Sequence, residues 1–391
     1  MFETVKKFLT ENENYIVNLR REFHKYPETE FEEFKTSEII KRELSEMNIS
    51  YEDKIAKTGI KAVIKGGKEG RTVLLRADMD ALPVSELNDV EYKSTHEGKM
   101  HACGHDGHMA VMLAAARALN EIKNEICGNV VLIFRPAEEG QGGAEPMINS
   151  GVLENPKPDI AFGFHVEPTY ETGSVALKVG GVMASPDEFD IKIIGKGGHG
   201  AYREKCVDPI YIASKVITEL IDFGQEKYSE ESPCVISVGE VTGGSFYNVI
   251  PDSVSLKGTS RAVDMPKREL LAEGVKQICK KVCAKYGAEC EVDFRFLYPP
   301  LVNDKSVVEI MRKSAKENGF EIIDIEKPFM GGDDFAYFAQ KIPSAYVYVG
   351  CRNEKLDCVY PWHSARFNMD EKCLLNGALI MCRSVLFALG E

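Results

Sequence analysis

Apolar and polar positions along the chain follow two periods, and each change of period marks a predicted helix or strand. Near the start, Ile16, Leu19 and Phe23 recur at the spacing of one helical face, until Pro27 interrupts the pattern. Strand-sized apolar runs then alternate with helical segments: strands 59–64, 72–77, 130–134 and 160–165, with helices 109–119 and 146–150. This alternation predicts an α/β domain with a mixed, mostly parallel sheet.

The pattern changes at Ser185 and Pro186. The following segments read as strand, helix, strand, strand, helix and strand, over 188–194, 208–223, 234–241, 252–261, 266–286 and 289–296. This βαββαβ order predicts a ferredoxin-like domain. After Pro299 the α/β pattern returns, with helices 306–318 and 371–389 and a strand at 345–349. We therefore predict an α/β domain over 1–186 and 299–391, with a smaller domain, 187–298, inserted between its halves.

Charge and cysteine content exclude several classes of protein. The 391 residues include 48 basic and 61 acidic side chains, a net charge of −13, which disfavours nucleic acid as a partner. No apolar run reaches the ~20 residues that span a bilayer, and the N-terminus lacks the features of a signal peptide. Eleven cysteines without regular spacing predict no disulfide framework. We expect a cytoplasmic protein with no membrane partner.

The densest group of reactive side chains lies in the segment His101–His108. It contains a thiol, three imidazoles and a carboxylate directly before a predicted helix. A polar loop in which Asp106 caps that helix is an alternative interpretation. So many metal-binding groups in one short segment favour a metal site. Thiolate and imidazole ligands suit Zn²⁺, Co²⁺ or Ni²⁺, and Mn²⁺ less clearly, and argue against Ca²⁺ or Mg²⁺.

Two acidic motifs come directly after predicted strands, where open α/β sheets place their ligands. Glu138 and Glu139 follow the strand 130–134. Because adjacent side chains point in different directions, one can bind a cation while the other faces substrate or water. Asp78 and Asp80 follow an earlier strand and share one face of an extended backbone. Taken singly, these motifs also fit a solvated loop and a salt-bridged strand end.

Two isolated histidines, His165 and His363, follow apolar stretches, and a lone histidine is more often structural than a ligand. Taken together and in order, however, the motifs resemble the M20 metallopeptidase family, specifically its amidohydrolase branch. The resemblance covers nearly the whole chain, through 19–28, 76–83, 101–108, 134–140, 163–165, 197–201, 248–251, 332–335 and 363–364. That branch includes aminoacylases, hippurate hydrolases, indole-acetyl-amino-acid hydrolases and N-acetyldiaminopimelate deacetylases.

The resemblance implies a two-metal centre and a set of residue roles. The implied ligands of two divalent cations (Zn²⁺, Mn²⁺, Co²⁺ or Ni²⁺) are Cys103, His105, Glu139, His165 and His363. Glu138 matches the general base, and Asp80 matches an aspartate that orients a metal-binding neighbour. His108 matches a position that supports the ligands from behind. Asp333 stands where the family usually has Glu, so it is not assigned to the site.

Further positions in the inserted domain match residues that contact substrate. His199 resembles the histidine that reaches the scissile carbonyl, in dimeric relatives from the partner subunit. Asn248 and Arg261 resemble anchors for the α-carboxylate of the substrate. The inserted domain itself matches the family's lid or dimerisation domain, which implies a homodimer.

The expected activity is metal-dependent hydrolysis of the linear amide bond of N-acyl-L-amino acids, which releases a carboxylic acid and a free amino acid. N-acetyldiaminopimelate deacetylation is the alternative substrate class. Two other interpretations stay open: Cys103 as a covalent nucleophile with a nearby histidine, and a non-catalytic amino-acid-binding relative. The complete set of implied ligands argues against a decayed site.

Overall fold

A computed structural model describes all residues from Met1 to Glu391, and the chain divides into two compact units. Unit 1 comprises Met1–Gly180, Asn303–Glu326 and Tyr337–Glu391. Unit 2 comprises Gly181–Val302 and Lys327–Ala336. The domain boundaries at 186/187 and 298/299 stay predictions, and the grouping of 327–336 with unit 2 has no counterpart in the sequence pattern.

Helices and strands alternate through most of the chain. The helices are α1 (Phe2–Glu11), α2 (Glu13–Lys25), α3 (Phe34–Glu46), α4 (His105–Glu121), α5 (Ala144–Asn149), α6 (Pro209–Lys227), α7 (Met265–Lys285), α8 (Lys305–Glu317), α9 (Ala336–Ala339) and α10 (Lys372–Ala388). The strands are β1 (Ser50–Ile55), β2 (Gly59–Lys65), β3 (Lys68–Asp78), β4 (Cys127–Arg135), β5 (Ile160–Glu171), β6 (Ser174–Leu177), β7 (Gly180–Met183), β8 (Asp187–Ile194), β9 (Gly198–His199), β10 (Cys234–Thr242), β11 (Val249–Ile250), β12 (Ser253–Ala262), β13 (Glu289–Arg295), β14 (Leu301–Asn303), β15 (Glu321–Asp324) and β16 (Ser344–Arg352). None of the helices is both long and apolar enough to span a lipid bilayer.

Unit 1 is organised around a mixed sheet of eight strands in the order β1-β2-β4-β3-β5-β16-β6-β15. β3 pairs parallel with β4 and β5, β16 pairs parallel with β5, and β15 pairs parallel with β6. Antiparallel pairs join β1 to β2, β2 to β4 and β16 to β6. The predicted mixed, mostly parallel sheet is therefore confirmed.

Helix α4 runs through the core of unit 1 and packs against α2 and α10. It begins at His105, so the prediction of a helix from Met109 was wrong at its start. The first turn carries polar side chains that the apolar pattern does not recognise, yet His105, Asp106 and His108 are all buried. Gly104 precedes the helix with φ +89°, and a Cβ there would collide with Val166, so this position requires glycine.

Unit 2 has the predicted βαββαβ order and a four-stranded antiparallel sheet, β10-β12-β8-β13. Alternate residues of β8 (Phe189, Ile191 and Ile193) are buried in a core that also includes side chains from α6 and α7. Burial of each side chain of this size stabilises the folded state by roughly 1.5–3 kcal/mol relative to exposure to water. The ferredoxin-like arrangement expected for the inserted segment is confirmed.

One buried ion pair ties the start of unit 2's sheet to α7. Asp187 is fully buried and accepts hydrogen bonds from Arg268 Nε at 2.8 Å and Arg268 Nη2 at 2.7 Å. The backbone N–H of Leu297 also donates to Asp187 Oδ1, at 2.9 Å. A buried carboxylate with these partners is stable only while its cation is present.

We predict that Arg268→Leu lowers the free energy of unfolding by about 3–5 kcal/mol, because Asp187 is left buried without a cation. The measurement is urea-induced unfolding of the full chain. Arg295→Leu is the matched control: Arg295 bonds the surface carboxylates of Glu188, Asp190 and Asp293, and its loss is expected to cost at most about 1 kcal/mol. Equal shifts for the two variants would contradict the prediction.

Candidate active site

The five sequence-predicted metal ligands lie together in unit 1, although they are spread over most of the sequence. Three overlapping groups of ligand atoms, each within 4.8 Å of one another, join Cys103, His105 and His165; Cys103, Glu139 and His363; and His105, Glu138 and Glu139. Cys103 Sγ lies 3.4 Å from His165 Nε2, and His363 Nε2 lies 3.3 Å from Glu139 Oε2. The chain therefore brings one thiol, three imidazoles and two carboxylates to one place.

The parallel strands of the sheet explain this convergence. β3 and β4 run side by side with Asp78 opposite Arg135, so the residues that follow each strand emerge at the same edge. Asp80 follows β3 and Glu139 follows β4, and the N–H of Glu139 donates to Asp80 Oδ2 at 2.9 Å. His165 lies within β5, the strand on the other side of β3.

Hydrogen bonds to carbonyl groups orient two of the imidazoles. His165 Nδ1 donates to the carbonyl oxygen of Val166 at 2.7 Å, and His105 Nδ1 donates to that of Asp80 at 2.9 Å. In the neutral form of each ring, Nε2 then carries the lone pair with which histidine binds metals. Burial and the neighbouring His108 and His105 hold the pKa of His165 well below its ordinary value, which keeps this ring neutral.

Two polar atoms of the cluster lie 3.9 Å apart and make no hydrogen bond within the protein. His105 Nε2 and Glu139 Oε1 are buried without a hydrogen bond, and such atoms cost free energy unless something binds them. Although burial lowers it, the carboxylates of Asp78, Asp80 and Glu139 raise the pKa of His105 to about 10. A site that attracts positive charge so strongly, with sulfur, imidazole and carboxylate donors, fits a divalent transition metal or Zn²⁺.

Cys103 lies in surroundings unlike those of a nucleophilic cysteine. Burial and the nearby Glu139 and Glu138 raise the pKa of its thiol well above the ordinary value. The Cys103 sulfur belongs to two groups of potential ligand atoms, one with His105 and His165 and one with Glu139 and His363. This geometry favours Cys103 as a metal ligand over the alternative in which it attacks the substrate.

Asp80 contacts two of the predicted ligands. Its Oδ2 holds the backbone of Glu139, and its Oδ1 lies 3.4 Å from His105 Nδ1. One side chain thus orients a carboxylate and an imidazole from different segments. This is the geometry expected of a residue that positions metal ligands.

Asp78 and His108 lie just behind the cluster. Arg76 Nη1 donates to Asp78 at 2.7 Å and Arg135 also donates to it, so two guanidinium groups neutralise this buried carboxylate. His108 Nδ1 lies 3.3 Å from Asp78 Oδ2, and His108 Nε2 accepts the N–H of Val166 at 3.2 Å. Because both ring nitrogens of His108 are already engaged, this histidine supports the site without a nitrogen free to bind metal.

A buried network that fixes the first turn of α4 was missed by sequence reasoning. Arg20 Nε and His24 Nδ1 each lie 2.7 Å from Asp106 Oδ2, and His24 Nε2 lies 3.1 Å from Glu86. Asp106 Oδ1 accepts the N–H of Gly107, within its own helical turn. The alternative role of Asp106 as N-cap was wrong, because Gly104 occupies that position. The motif around Arg20 and His24 gave no indication of this contact.

The remaining predicted residues lie in unit 2. His199 is on β9, paired with Val249 of β11; its Nδ1 accepts the N–H of Ala201 at 3.1 Å, which leaves Nε2 as the donor. Asn248 precedes β11, and its carbonyl accepts the N–H of Gly200. The structure thus brings His199 and Asn248 together at one two-stranded antiparallel pair, β9 and β11.

Arg261 and Asp333 also belong to unit 2. Arg261 is on β12, where its guanidinium donates to Thr259 Oγ1 and to the carbonyl of Ser260. Burial lowers the pKa of this half-buried guanidinium. Asp333, the departure from the family pattern, is buried and accepts the N–H of Phe335 at 2.7 Å.

Comparison with known proteins identifies the family of this chain. The sequence profile of peptidase family M20/M25/M40 matches residues 74–386. Thermostable carboxypeptidase 1 of Saccharolobus solfataricus is 39% identical, over 97% of this chain and 96% of its own. An N-acetyl-L-cysteine deacetylase of Bacillus subtilis is 35% identical, over 95% and 88%. An IAA-amino acid hydrolase of Arabidopsis thaliana is 37% identical, over 93% and 83%.

The fold has close counterparts among solved structures. The YxeP protein of Bacillus subtilis, described as a dinuclear metal binding peptidase from the M20 family, superposes with a TM-score of 0.87 at 32% identity. That match covers 97% of this chain and 99% of the other. The chain therefore belongs to peptidase family M20/M25/M40 and is a metal-dependent amidohydrolase.

Proposed function

We propose that the protein hydrolyses the amide bond of N-acyl-L-amino acids, with two divalent cations per subunit. The observation that carries this proposal is the convergence of the predicted ligands, in which His105 Nε2 and Glu139 Oε1 are buried, lie 3.9 Å apart and make no hydrogen bond. The names of the relatives support it, because they include a deacetylase and a hydrolase of N-acylated amino acids.

The proposed ligands divide between overlapping groups that share side chains. Cys103, His105 and His165 form one group, and Cys103 joins Glu139 and His363 in another. Bound cations would supply Lewis acidity, which brings the ionisation of water toward neutral pH and polarises a carbonyl group. Zn²⁺, Mn²⁺, Co²⁺ and Ni²⁺ are all compatible with these donors.

Glu138 is the proposed general base. It neighbours Glu139 in sequence, and its carboxylate approaches both Glu139 and His105 to within 4.8 Å. In this role Glu138 accepts the proton of the attacking water and then delivers it to the leaving nitrogen, so that the amine departs neutral. Asp80 acts indirectly, by orienting His105 and Glu139.

The unit 2 residues are proposed to recognise the substrate. His199 Nε2–H donates to the oxygen of the scissile carbonyl as negative charge develops there. Asn248 and Arg261 hold the α-carboxylate, which selects acyl amino acids over simple amides. We propose that the protein is a homodimer through this unit, so that His199 can serve its own site or that of the partner subunit.

All eleven cysteines are free, which supports the proposed cytoplasmic location. The acyl group and the amino acid preferred by the enzyme are best established with a panel of N-acetyl, benzoyl and indole-acetyl amino acids. N-acetyldiaminopimelate belongs in the same panel. Preference for that compound over the N-acyl-L-amino acids would replace the proposed substrate class with the alternative one.

We predict that Glu138→Ala lowers kcat by about 10²–10⁴-fold while bound metal is retained, because proton transfer is lost but the proposed ligands remain. Steady-state kinetics on the best substrate of the panel, with elemental analysis of metal content, provides the measurement. Glu145→Ala, at an exposed position on α5, is the control and should leave kcat unchanged. Near-normal turnover by Glu138→Ala would refute the proposed base.

We predict that Asp80→Ala weakens metal binding by about 10–100-fold, because Glu139 and His105 lose the group that orients them. Competition with a chromophoric chelator gives the affinity. Asp89→Ala, at an exposed position in the loop that follows, serves for comparison. An unchanged affinity in Asp80→Ala would show that the ligands are oriented without this side chain.

We predict that Arg261→Met removes the enzyme's preference for a substrate with a free α-carboxylate. For the wild-type enzyme, replacing the α-carboxylate of an N-acetyl amino acid with a carboxamide should lower kcat/KM by the equivalent of about 2–5 kcal/mol, because the carboxamide removes the charged partner of Arg261. The two substrates should differ much less in kcat/KM for the variant. Retention of the full preference would exclude Arg261 as the anchor.

A further inference from the structure

The turn that carries Glu138 and Glu139 is held by carboxylates from other parts of unit 1. Alternate backbone N–H groups of this turn, those of Ala137, Glu139 and Gln141, each donate a hydrogen bond to a side-chain carboxylate. The acceptors are, respectively, Glu33 Oε1 at 3.0 Å, Asp80 Oδ2 at 2.9 Å and Glu30 Oε2 at 3.1 Å. Two of these acceptors, Glu30 and Glu33, lie in the segment before α3 and have no role in the chemistry proposed above.

The turn adopts a conformation that its own sequence does not favour. Ala137 has φ +55°, in the left-handed region that is unfavourable for residues with a Cβ. The N–H of Gly142 donates to the carbonyl of Ala137 at 2.9 Å and closes the turn. Strained backbone of this kind persists only where surrounding contacts determine it.

Glu33 supplies such a contact at the start of the turn. Its side chain is fully buried, and its Oε1 accepts the N–H groups of Ala137 and Phe31, both at 3.0 Å. Its Oε2 accepts the hydroxyl of Thr58 at 2.6 Å. A buried carboxylate bonded to backbone N–H groups makes strong, directional hydrogen bonds.

Glu30 supplies the contact at the end of the turn. Its Oε2 accepts the N–H of Gln141, and its carboxylate lies against Gly140, where a Cβ would collide with it. A side chain at position 140 would therefore displace the Glu30 carboxylate from this contact.

We propose that Glu33 and Glu30 are positioning residues, which fix the turn so that Glu138 and Glu139 point in their separate directions. This inference rests on the proposed roles of Glu138 as base and Glu139 as metal ligand. Neither Glu33 nor Glu30 is assigned contact with substrate or metal. They act through the backbone, so their loss is expected to misplace the base while the ligands on other segments remain.

The test at Glu33 compares three variants of the full, metal-loaded chain. Glu33→Leu removes the acceptor of the Ala137 N–H and should lower kcat about 100-fold, with less than about threefold change in KM, because a small misplacement of a catalytic group has this effect. Glu33→Gln should stay within about fivefold of wild type. Its amide oxygen can still accept the N–H groups of Ala137 and Phe31, while its NH₂ donates to Thr58 Oγ1.

Thr58→Val is the matched control at this position, because it removes the hydrogen bond to Glu33 Oε2 and leaves those of Ala137 and Phe31 to Oε1. Its kcat should stay within about threefold of wild type even where the melting temperature falls. The inference is overturned if Glu33→Leu keeps the kcat of wild type. It is also overturned if kcat falls as far in Glu33→Gln or in Thr58→Val as it does in Glu33→Leu.

Glu30 gives a second test that does not depend on the folding of Glu33→Leu, because Glu30 is only partly buried. Glu30→Ala should lower kcat about tenfold, whereas Glu32→Ala should change it less than about twofold. The carboxylate of Glu32 is exposed and lies 3.4 Å from Lys57 Nζ. Equal kcat for these two variants would also overturn the inference.

Glu138→Ala in the same assay separates this inference from the function on which it rests. If Glu138→Ala is inactive while Glu33→Leu and Glu30→Ala are normal, only the positioning role fails. If Glu138→Ala keeps wild-type turnover, the proposed base itself is wrong.

Discussion

A carboxylate that is withdrawn from water must be paired with a cation or with several N–H donors, and this requirement organises the candidate active site. Asp78 and Asp106 meet it with buried arginines, which neutralise them. Glu33 has only N–H and O–H donors, and burial raises its pKa to about 7. Glu139 has histidines on either side, and one of its oxygens makes no hydrogen bond. The groups that compensate each charge therefore distinguish Asp78, Asp106 and Glu33 from Glu139, the proposed metal ligand.

The arginine pairs also define the boundary of the site. Arg20, Arg76 and Arg135 are fully buried behind the cluster, where they hold the start of α4 and the ends of β3 and β4. Asp78 and Asp106 are thereby neutralised, and Asp78 also lies close to His105 and His108. Of the predicted ligands in front of them, His105 and His165 are oriented through Nδ1 by carbonyl groups, and His105 also by Asp80, which leaves Nε2 of each ring available. A preorganised metal site requires rigid supporting residues and ligand atoms that are not already hydrogen-bonded.

The sequence predicted the order of helices and strands, the βαββαβ insertion and the composition of the ligand cluster, because these depend on local period and on motif. It did not predict β1, β6 or β15, which are short or exposed and lack a clear apolar pattern. Nor did it distinguish Glu33 from Glu32: the acidic run 28–33 looks like a solvated surface, and only the tertiary structure buries one residue and exposes its neighbour. For the same reason it did not predict that Arg20 and His24 contact Asp106, which lies more than eighty positions further along the chain.

The position of β16 has a consequence for how the chain matures. This strand is the last of the sheet to be synthesised, yet it lies between β5 and β6 in the interior of the sheet, and the loop that follows it provides His363. Until the ribosome has released this region, the inner edges of β5 and β6 stay unpaired and one ligand is missing. Unpaired edges of this kind are where nascent chains aggregate. Capture of metal by the full set of proposed ligands thus becomes possible only after the segment that carries β16 and His363 has left the ribosome.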